Sequence, residues 1–213
     1  MIIAIDGPAA SGKGTLGKRL AEHFRLRHLD TGLIYRAVAK ALLDAGHPLD
    51  DAVRATAAAQ ALDPAQFDEK TLKGHAIGEA ASIVSAIPDV RSALVAFQRD
   101  FAAAPPGAVL DGRDIGTVIC PSADVKIFVV AAPEERARRR AADPAHTSSK
   151  TSQLSDVATA LAERDKSDST RAVSPLAIAP DATVVDTTGV SVEDVIERVL
   201  SVIEGRRSIP DNR

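Results

Sequence analysis

A glycine-rich stretch near the start of the chain has residue types and spacing that could do chemistry. It follows the pattern G-x-x-x-x-G-K and reads Gly7-Pro8-Ala9-Ala10-Ser11-Gly12-Lys13-Gly14-Thr15. Glycines let backbone N–H groups wrap around a phosphate at the positive end of a helix dipole. Lys13 can reach the β- and γ-phosphates, and the Thr15 hydroxyl can contact the nucleotide or a water on Mg²⁺. The stretch predicts a nucleoside triphosphate site, with Lys13 as a catalytic candidate and Thr15 as a metal-site candidate.

The surroundings of this stretch support its interpretation as a phosphate loop. Residues 2–6 are rich in β-branched side chains, which predicts a strand, and residues 13–24 have apolar side chains at helical spacing. A strand, a glycine-rich turn and a helix are the context that this motif requires. Small-molecule kinases, GTPases and motor ATPases share the motif. The Gly-Lys-Gly-Thr variant resembles the loop of nucleoside monophosphate kinases, and the chain lacks the guanine-reading tetrapeptide Asn-Lys-x-Asp.

Four further segments carry arginines and carboxylates: residues 30–36, 80–91, 111–117 and 163–176. Arginine offers a bidentate fork to phosphate, and a carboxylate can accept a hydrogen bond from a base amine or a sugar hydroxyl. Taken singly, each residue also has an ordinary explanation. Asp168 or Arg171 is explained as an exposed ion pair, and Ser82 as a small helix residue. Their order after a phosphate loop is what points to a second anion site.

The elements that must position these residues alternate along the chain. Five short apolar runs predict strands at residues 2–6, 28–30, 108–110, 125–130 and 182–186, with helical segments between them. This alternation predicts an α/β fold with a doubly wound parallel sheet and right-handed crossovers. Ligands bind such sheets at the carboxyl ends of the strands. We therefore expect Asp6, Asp30 and Asp111, which end three of these runs, to meet at one edge.

Three strings in these segments are specific: Asp-Thr-Gly-x-x-Tyr-Arg from Asp30, Asp-Gly-Arg-Asp-Ile-Gly-Thr from Asp111, and Thr-Arg-Ala-Val-Ser-Pro-Leu from Thr170. With the phosphate loop they resemble the bacterial cytidylate kinases over residues 2–176, and more loosely to the end. The resemblance implies a P-loop nucleoside triphosphate hydrolase fold, a five-stranded parallel sheet flanked by helices. It also implies transfer of the γ-phosphoryl group of ATP to CMP or dCMP, with Mg²⁺ accompanying ATP.

The resemblance assigns roles on the acceptor side residue by residue. The CMP phosphate would be held by Thr31, Arg36, Arg113 and Arg171. The cytosine edge would be read by Ser82, Arg91 and Asp114. The sugar would meet Arg164 and Asp168. Charge on the transferring group would be neutralised by Lys13, Arg113 and Arg164. Asp111, at a strand end, would be a partner of hydrated Mg²⁺.

The resemblance also implies moving parts within a single domain spanning residues 1–213. Residues 31–104 would form a CMP-binding arm, and residues 136–155, which begin with a cluster of arginines, would form a lid over ATP. Many members of the family carry a small β-rich insert in the arm. Residues 62–76 of this chain are too few to hold it, so we expect a shorter arm.

Composition narrows the alternatives. A formal net charge of −3 argues against a general nucleic-acid binder, and the single Cys120 excludes an internal disulfide framework. Without a signal peptide or a spanning apolar stretch, we expect a cytoplasmic protein away from membranes, and a monomer by default. Two alternative functions stay open: another P-loop small-molecule kinase, such as a shikimate or adenylate kinase, and a non-enzymatic nucleotide-binding regulator.

Overall fold

The computed structural model describes residues 1–63, 71–72, 74–144 and 153–207. Its centre is a sheet of five parallel strands in the spatial order β2-β3-β1-β4-β5. The strands are β1 (Ile2–Asp6), β2 (Arg27–Asp30), β3 (Ala108–Gly112), β4 (Val125–Val130) and β5 (Thr183–Asp186). The predicted five-stranded parallel sheet is confirmed.

Eight α-helices and one π-helical turn connect and flank the strands within the described residues. The elements are α1 (Lys13–Phe24), α2 (Thr31–Asp44), α3 (Ala52–Gln60), α4 (His75–Ser85), α5 (Pro88–Ala103), the π-helical turn (Ile115–Ile119), α6 (Pro133–Ala142), α7 (Leu154–Thr170) and α8 (Val192–Arg207). Two features differ from the sequence prediction. The π-helical turn was not predicted, and α7 continues six residues beyond its predicted end at Arg164, because its last turns are polar and give no apolar periodicity.

Aliphatic side chains cover both faces of the sheet. On one face Ile3 and Ile5 of β1 pack against Leu20 of α1 and against α8. On the other face Ala4 packs with residues of β3, α5 and the π-helical turn. Successive residues of a strand point to opposite faces, which is why neighbours in β1 belong to different clusters. With few aromatic rings in the chain, this core depends on close packing of branched aliphatic groups.

Helices α2 to α5 enclose an apolar cluster of their own. Ile34 and Val38 of α2 pack with Val84 of α4 and Leu94 of α5, all fully or almost fully buried. Segments α2 to α5 correspond to the expected arm at residues 31–104. Residues 64–70 and 73 lie outside the described residues, so the expected shortening of the arm there stays a prediction. Residues 145–152 of the expected lid are outside them as well.

Strand register brings three carboxylates to the same edge of the sheet. Asp6 and Asp30 are the last residues of β1 and β2. Asp6 aligns with Gly112, the last residue of β3, and Asp30 aligns with Asp111, one position before it. The expected meeting of Asp6, Asp30 and Asp111 is therefore confirmed. This edge faces the start of α1 and the start of α2, so two helix N-termini and three strand ends define the place where ligands would bind.

Over the described ranges, no single helix has both the length and the apolar character needed to cross a bilayer. The segments Ala76–Ser85 and Pro88–Ala103 reach those limits only when joined, and they bend by 97° at their junction.

Candidate active site

The backbone of the phosphate loop adopts conformations that few residues accept. Gly7 has a φ of 155°, and a Cβ there would lie 2.2 Å from the carbonyl oxygen of Val129. Gly12, with a φ of 94°, caps α1, and Ala10 lies in the left-handed region at 58°. The loop can curl tightly against β4 only because Gly7 has no side chain. The predicted order of strand, loop and helix is confirmed.

Lys13 lies inside this loop. Its Nζ atom donates to the carbonyl oxygen of Pro8 at 3.1 Å. Burial and the nearby Arg113 guanidinium lower the pKa of Lys13 to about 7, against the opposite effect of Asp111 and Asp30. An anion in the loop would favour the charged amine, since opposite charges stabilise each other more strongly away from water. The geometry suits the catalytic role predicted for Lys13.

Asp111 and Asp30 end adjacent strands beside the loop. The Oδ2 atom of Asp111 lies 2.8 Å from Nε2 of His28, while its Oδ1 atom faces Gly14. Asp30 caps α2 by accepting from the Gly32 N–H at 2.9 Å, and burial together with Asp111 raises its pKa. His28 is a neighbour that sequence reasoning missed, because a histidine in a short strand gives no signal by itself.

Asp111 and Thr15 are the candidate ligands for a metal ion. Across the described part of the chain, no cluster of three or more His, Cys, Asp or Glu side chains could hold a metal by itself. Mg²⁺ in kinases needs less, because phosphates and waters fill most of its shell and the protein supplies one or two oxygen ligands. Asp111 and the exposed Thr15 fit that requirement in number and kind. Their metal role stays a prediction.

A pocket lies beside the start of α2 and the end of β3. Seven of the nine residues that the resemblance assigns to CMP line it: Thr31, Arg91, Arg113, Asp114, Arg164, Asp168 and Arg171. These residues come from α2, α5, α7, the segment after β3 and the segment after α7. Four guanidinium groups face two carboxylates, so the lining has a formal charge of +2. A doubly negative phosphate monoester would balance that charge.

Both carboxylates of the pocket are ion-paired. Asp114 Oδ2 lies 2.5 Å from Arg91 Nη2, and Asp114 Oδ1 lies 3.8 Å from Arg171 Nη2. Asp168 Oδ2 lies 2.7 Å from Arg113 Nε, and its Oδ1 lies 3.6 Å from Arg171 Nη1. Arg171 therefore bridges the two carboxylates.

This arrangement corrects the ordinary explanation of Asp168 and Arg171 as an exposed pair, because their side chains are only 6% and 7% exposed. Burial would raise the pKa of Asp168, but Arg113 and Arg164 outweigh it and hold that pKa below its usual value. Asp168 is therefore a charged acceptor at neutral pH. It faces a pocket rather than bulk water.

Arg164 adds positive charge with little compensation. Burial and Arg113 lower its pKa to about 10, and its Nε atom is buried with no hydrogen-bond partner among the described residues. Arg140 and Arg36 contribute further repulsion. Such a group of guanidinium ions is costly in a free protein and becomes favourable when an anion binds among them. It suits a site that receives phosphates.

Two predicted residues lie outside the lining of this pocket. Ser82 is one of them, and its carbonyl oxygen accepts from the Ser85 hydroxyl at 3.0 Å. Arg36 is the other, and its Nη1 atom donates to the Leu72 carbonyl oxygen at 3.3 Å. Ser85 itself lines the pocket, three residues after Ser82 and one helical turn away. The roles of Ser82 and Arg36 stay predictions.

Tyr35 also lines the pocket, and the Arg91 guanidinium lies 5.3 Å from the centre of its ring. Tyr35 belongs to the motif that begins at Asp30, and the resemblance assigns it no role. A ring in this position favours one orientation of the Arg91 fork.

Asp6 is a further residue that sequence reasoning did not assign to the site. Its two carboxylate oxygens accept from the backbone N–H groups of Ile115 and Gly116, at 2.8 and 2.7 Å. Burial raises the pKa of Asp6 to about 6, although the hydrogen bonds from the two backbone N–H groups lower it. Asp6 thereby holds the segment that carries Arg113 and Asp114. Its place at a strand end was a usable signal.

The arginines of α6, which begin the expected lid, differ in what they contact, and the lid itself stays a prediction. Arg136 is buried and donates to the carbonyl oxygen of Ala9 at 3.1 Å. Arg139 donates to the carbonyl oxygen of Ser11 at 3.4 Å and to the Thr187 hydroxyl at 2.9 Å. These two side chains hold the outer side of the phosphate loop. Arg138, whose side chain is 64% exposed, is the one that faces solvent as a lid residue would.

A phosphate loop that faces a second, cationic pocket across the edge of a parallel sheet defines a P-loop phosphotransferase. Comparison with known proteins gives the family. The family model described as cytidylate kinase matches residues 3–205. The cytidylate kinase of Rhodopseudomonas palustris strain TIE-1 is 57% identical over 208 residues, which are 98% of each chain. That of Afipia carboxidovorans is 59% identical over 211 residues, 98% of this chain and 99% of its own. The chain belongs to the cytidylate kinase family.

A solved structure supports the fold. The crystal structure of an uncharacterized protein from Eubacterium ventriosum covers 96% of this chain and 98% of its own, with a TM-score of 0.57 at 14% identity. At that identity the likeness concerns the fold alone.

Proposed function

We propose that the protein transfers the γ-phosphoryl group of ATP to CMP or dCMP, giving ADP and CDP or dCDP. The observation that carries this proposal is the pairing of a phosphate loop with a cationic pocket that holds the buried pair of Asp114 and Arg91. Membership of the cytidylate kinase family supports the same reaction. The shikimate kinase, adenylate kinase and regulator alternatives have no comparable support.

Asp114 and Arg91 suit the edge of cytosine. That edge presents an amine donor beside a ring-nitrogen acceptor and a carbonyl acceptor. The Asp114 carboxylate can accept from the amine while Arg91 donates to an acceptor next to it. Uracil would present a carbonyl oxygen to the carboxylate, which leaves two acceptors facing each other. Because the site is buried, that mismatch would cost binding and turnover.

The CMP phosphate would lie near the start of α2. The Thr31 hydroxyl donates to the Asp111 carbonyl oxygen at 2.8 Å, which fixes that side chain at the helix N-terminus. Arg113 and Arg171 line the same pocket and would supply the opposite charge. Arg164 and Asp168, one helical turn apart on α7, would meet the sugar.

Transfer would need charge neutralisation and alignment more than proton chemistry. The CMP phosphate oxygen is already anionic near neutral pH, so it attacks without a general base. Lys13, Arg113 and Arg164 would stabilise charge on the transferring group, each from its own side of the site. Thr15 and Asp111 are the residues of this chain that would hold a Mg²⁺ accompanying ATP, and such an ion would supply positive charge to the phosphates. A lid within residues 136–155 would exclude water, which otherwise competes as acceptor.

The test is a coupled assay for ADP release with ATP and Mg²⁺, run with and without a second substrate. CMP and dCMP should raise ADP release strongly, whereas UMP, AMP and shikimate should raise it little. A rate that no monophosphate changes would indicate an ATPase or a regulator. A preference for AMP or shikimate would mean that the protein is an adenylate or shikimate kinase instead.

A further inference from the structure

One residue of the phosphate loop is held from outside by a pair of charged side chains. The Ala9 N–H donates to Asp165 Oδ1 at 3.1 Å, and the Ala9 carbonyl oxygen accepts from Arg136 Nη1 at 3.1 Å. Arg136 Nη1 also forms an ion pair with Asp165 Oδ2. Both hydrogen-bonding groups of one loop residue are therefore bound by a single ion pair. We refer to Arg136 and Asp165 as the loop clamp.

The clamp lies where the loop needs support. Ala10, the next residue, has a φ of 58°, in a backbone region that residues other than glycine rarely adopt. Such a conformation persists only where the surroundings hold it. Ala9 is also buried against Ala137 of α6 and Leu161 of α7. Apolar packing and the clamp together fix the path of the loop just before the backbone that would bind phosphate.

The clamp also links the phosphate loop to α7. Arg164 and Asp168 of this helix line the acceptor pocket, whereas Asp165, between them in sequence, contacts the phosphate loop. One turn of α7 thus touches both halves of the site. A rigid helix that contacts both substrates' sites can set the distance and angle between them, and in-line transfer is sensitive to both.

We infer that Asp165 and Arg136 are positioning residues, which hold the phosphate loop of the donor in register with the acceptor pocket. The inference rests on the proposed function, since it concerns alignment of ATP with CMP. Neither residue needs to touch a substrate. The effect passes through the Ala9 peptide on the donor side and through α7 on the acceptor side.

The experiment uses the full-length protein and three variants: Asp165→Asn, Arg136→Met and the double variant. Asn keeps an acceptor for the Ala9 N–H but loses the charge that pairs with Arg136. We expect Asp165→Asn to lower kcat with CMP by about 10- to 100-fold while KM for CMP stays within about threefold. Because both residues act through one pair, the double variant should be no slower than the slower single variant.

Asp181→Asn is the matched control. Asp181, whose side chain is 63% exposed, pairs with the buried Lys126 at 2.8 Å. Neither residue lines the acceptor pocket or belongs to the phosphate loop, so the substitution removes the charge of an ion-paired Asp without touching the loop. Its kcat should stay within about threefold of the original. A kcat of Asp165→Asn equal to that of this control, at the same folded fraction, would overturn the inference. So would losses in the two single variants that multiply in the double variant.

Amide hydrogen exchange separates this inference from the proposed function. In the unliganded protein, exchange of the Ala9 N–H should be faster in Arg136→Met than in the Asp181→Asn control, by about tenfold or more. If the original protein did not phosphorylate CMP, the proposed function would be wrong. The exchange rate of the Ala9 N–H would still test the clamp, because it is measured without substrate. Unchanged exchange in Arg136→Met would overturn the clamp, whatever the substrate.

Discussion

The two halves of the site are built in different ways. The donor half is a continuous stretch of nine residues in which backbone conformation dominates, and Gly7 and Gly12 allow it. The acceptor half draws side chains from five segments spread over about 140 residues, from Thr31 to Arg171. In the donor half one lysine is the main charged group inside the loop, whereas the acceptor half holds six charged side chains.

This difference has a physical consequence for specificity. Backbone N–H groups bind any phosphate of suitable shape and cannot distinguish one nucleotide from another. Side chains such as Asp114 and Arg91 present an acceptor and a donor in fixed places, so they can select a base. Such side chains must then be neutralised and held while the pocket is empty, which is what the close ion pairs with Arg91 and Arg113 and the longer ones with Arg171 achieve.

The largest expected effect is on the donor half. Lys13→Ala should lower the rate of CMP phosphorylation by about 10³-fold or more, because it removes the charge aimed at the transferring group. The melting temperature should not fall, since the buried amine is costly in the free protein. Lys40→Ala, which breaks an exposed pair with Asp44 on α2, is the control and should keep the original rate. A variant of Lys13 with normal turnover would refute the phosphate-loop assignment.

The next effect is on selectivity in the acceptor half. Asp114→Asn should lower kcat/KM for CMP by about 10²-fold or more and change that for UMP little, because the amide can donate to the uracil carbonyl. Competition between CMP and UMP in one reaction measures the ratio directly. An equal loss with both substrates would mean that Asp114 serves only to hold Arg91 and Arg171.

The same contrast explains what the sequence could predict. The strand, loop and helix of the donor half were predicted because the motif is contained in nine adjacent residues, and the parallel sheet followed from five apolar runs. The acceptor residues were named through resemblance, since no local spacing indicates that Arg91 and Asp114 meet. Their pairing is a product of the fold, which brings α5 next to the end of β3.

Three features could not be read from the chain alone. The support that Asp6 gives to Ile115 and Gly116 joins residues 109 and 110 positions apart. The hold of Asp165 on Ala9 spans 156 positions. Arg136 belongs to a cluster of arginines that is typical of a solvated or lid segment, and only the packing of α6 on α7 shows that it is buried.

A smaller effect is expected at the sugar end of the pocket. Asp168→Ala should lower kcat/KM for CMP by about 10- to 100-fold, which corresponds to one charged hydrogen bond. It should also lower the free energy of unfolding by about 3 kcal/mol, because Arg113 and Arg171 lose a buried partner. The control Asp44→Ala breaks an exposed pair and should cost about 1 kcal/mol or less.

Steady-state kinetics with CMP and dCMP, beside urea unfolding, measures both quantities for Asp168→Ala. The pKa of Asp168 is lowered in the folded protein, so its stabilising contribution is present at neutral pH and is lost on acidification through that lowered pKa. The stability difference between the original protein and the variant should accordingly shrink at low pH. Unchanged kinetics with a lowered stability would remove Asp168 from the binding residues.

The last prediction returns to the donor half and concerns the pH dependence of stability rather than activity. The pKa of Lys13 is lowered from 10.5 to about 7 in the folded protein, so between those values the unfolded chain binds more protons. Stability from this group therefore rises with pH across that window, by at most about 1.4 kcal/mol per pH unit.

The Lys13→Met variant has no amine at this position to titrate. It should be more stable than the original protein at pH values below about 7, and that advantage should shrink as the pH approaches 10. Urea unfolding of the unliganded proteins at several pH values measures the difference, with Lys40→Met as a control whose offset should not vary with pH. If the stability difference between Lys13→Met and the original protein did not vary with pH, the amine would be solvated in the free loop. Burial of its charge would then not destabilise the unliganded donor half.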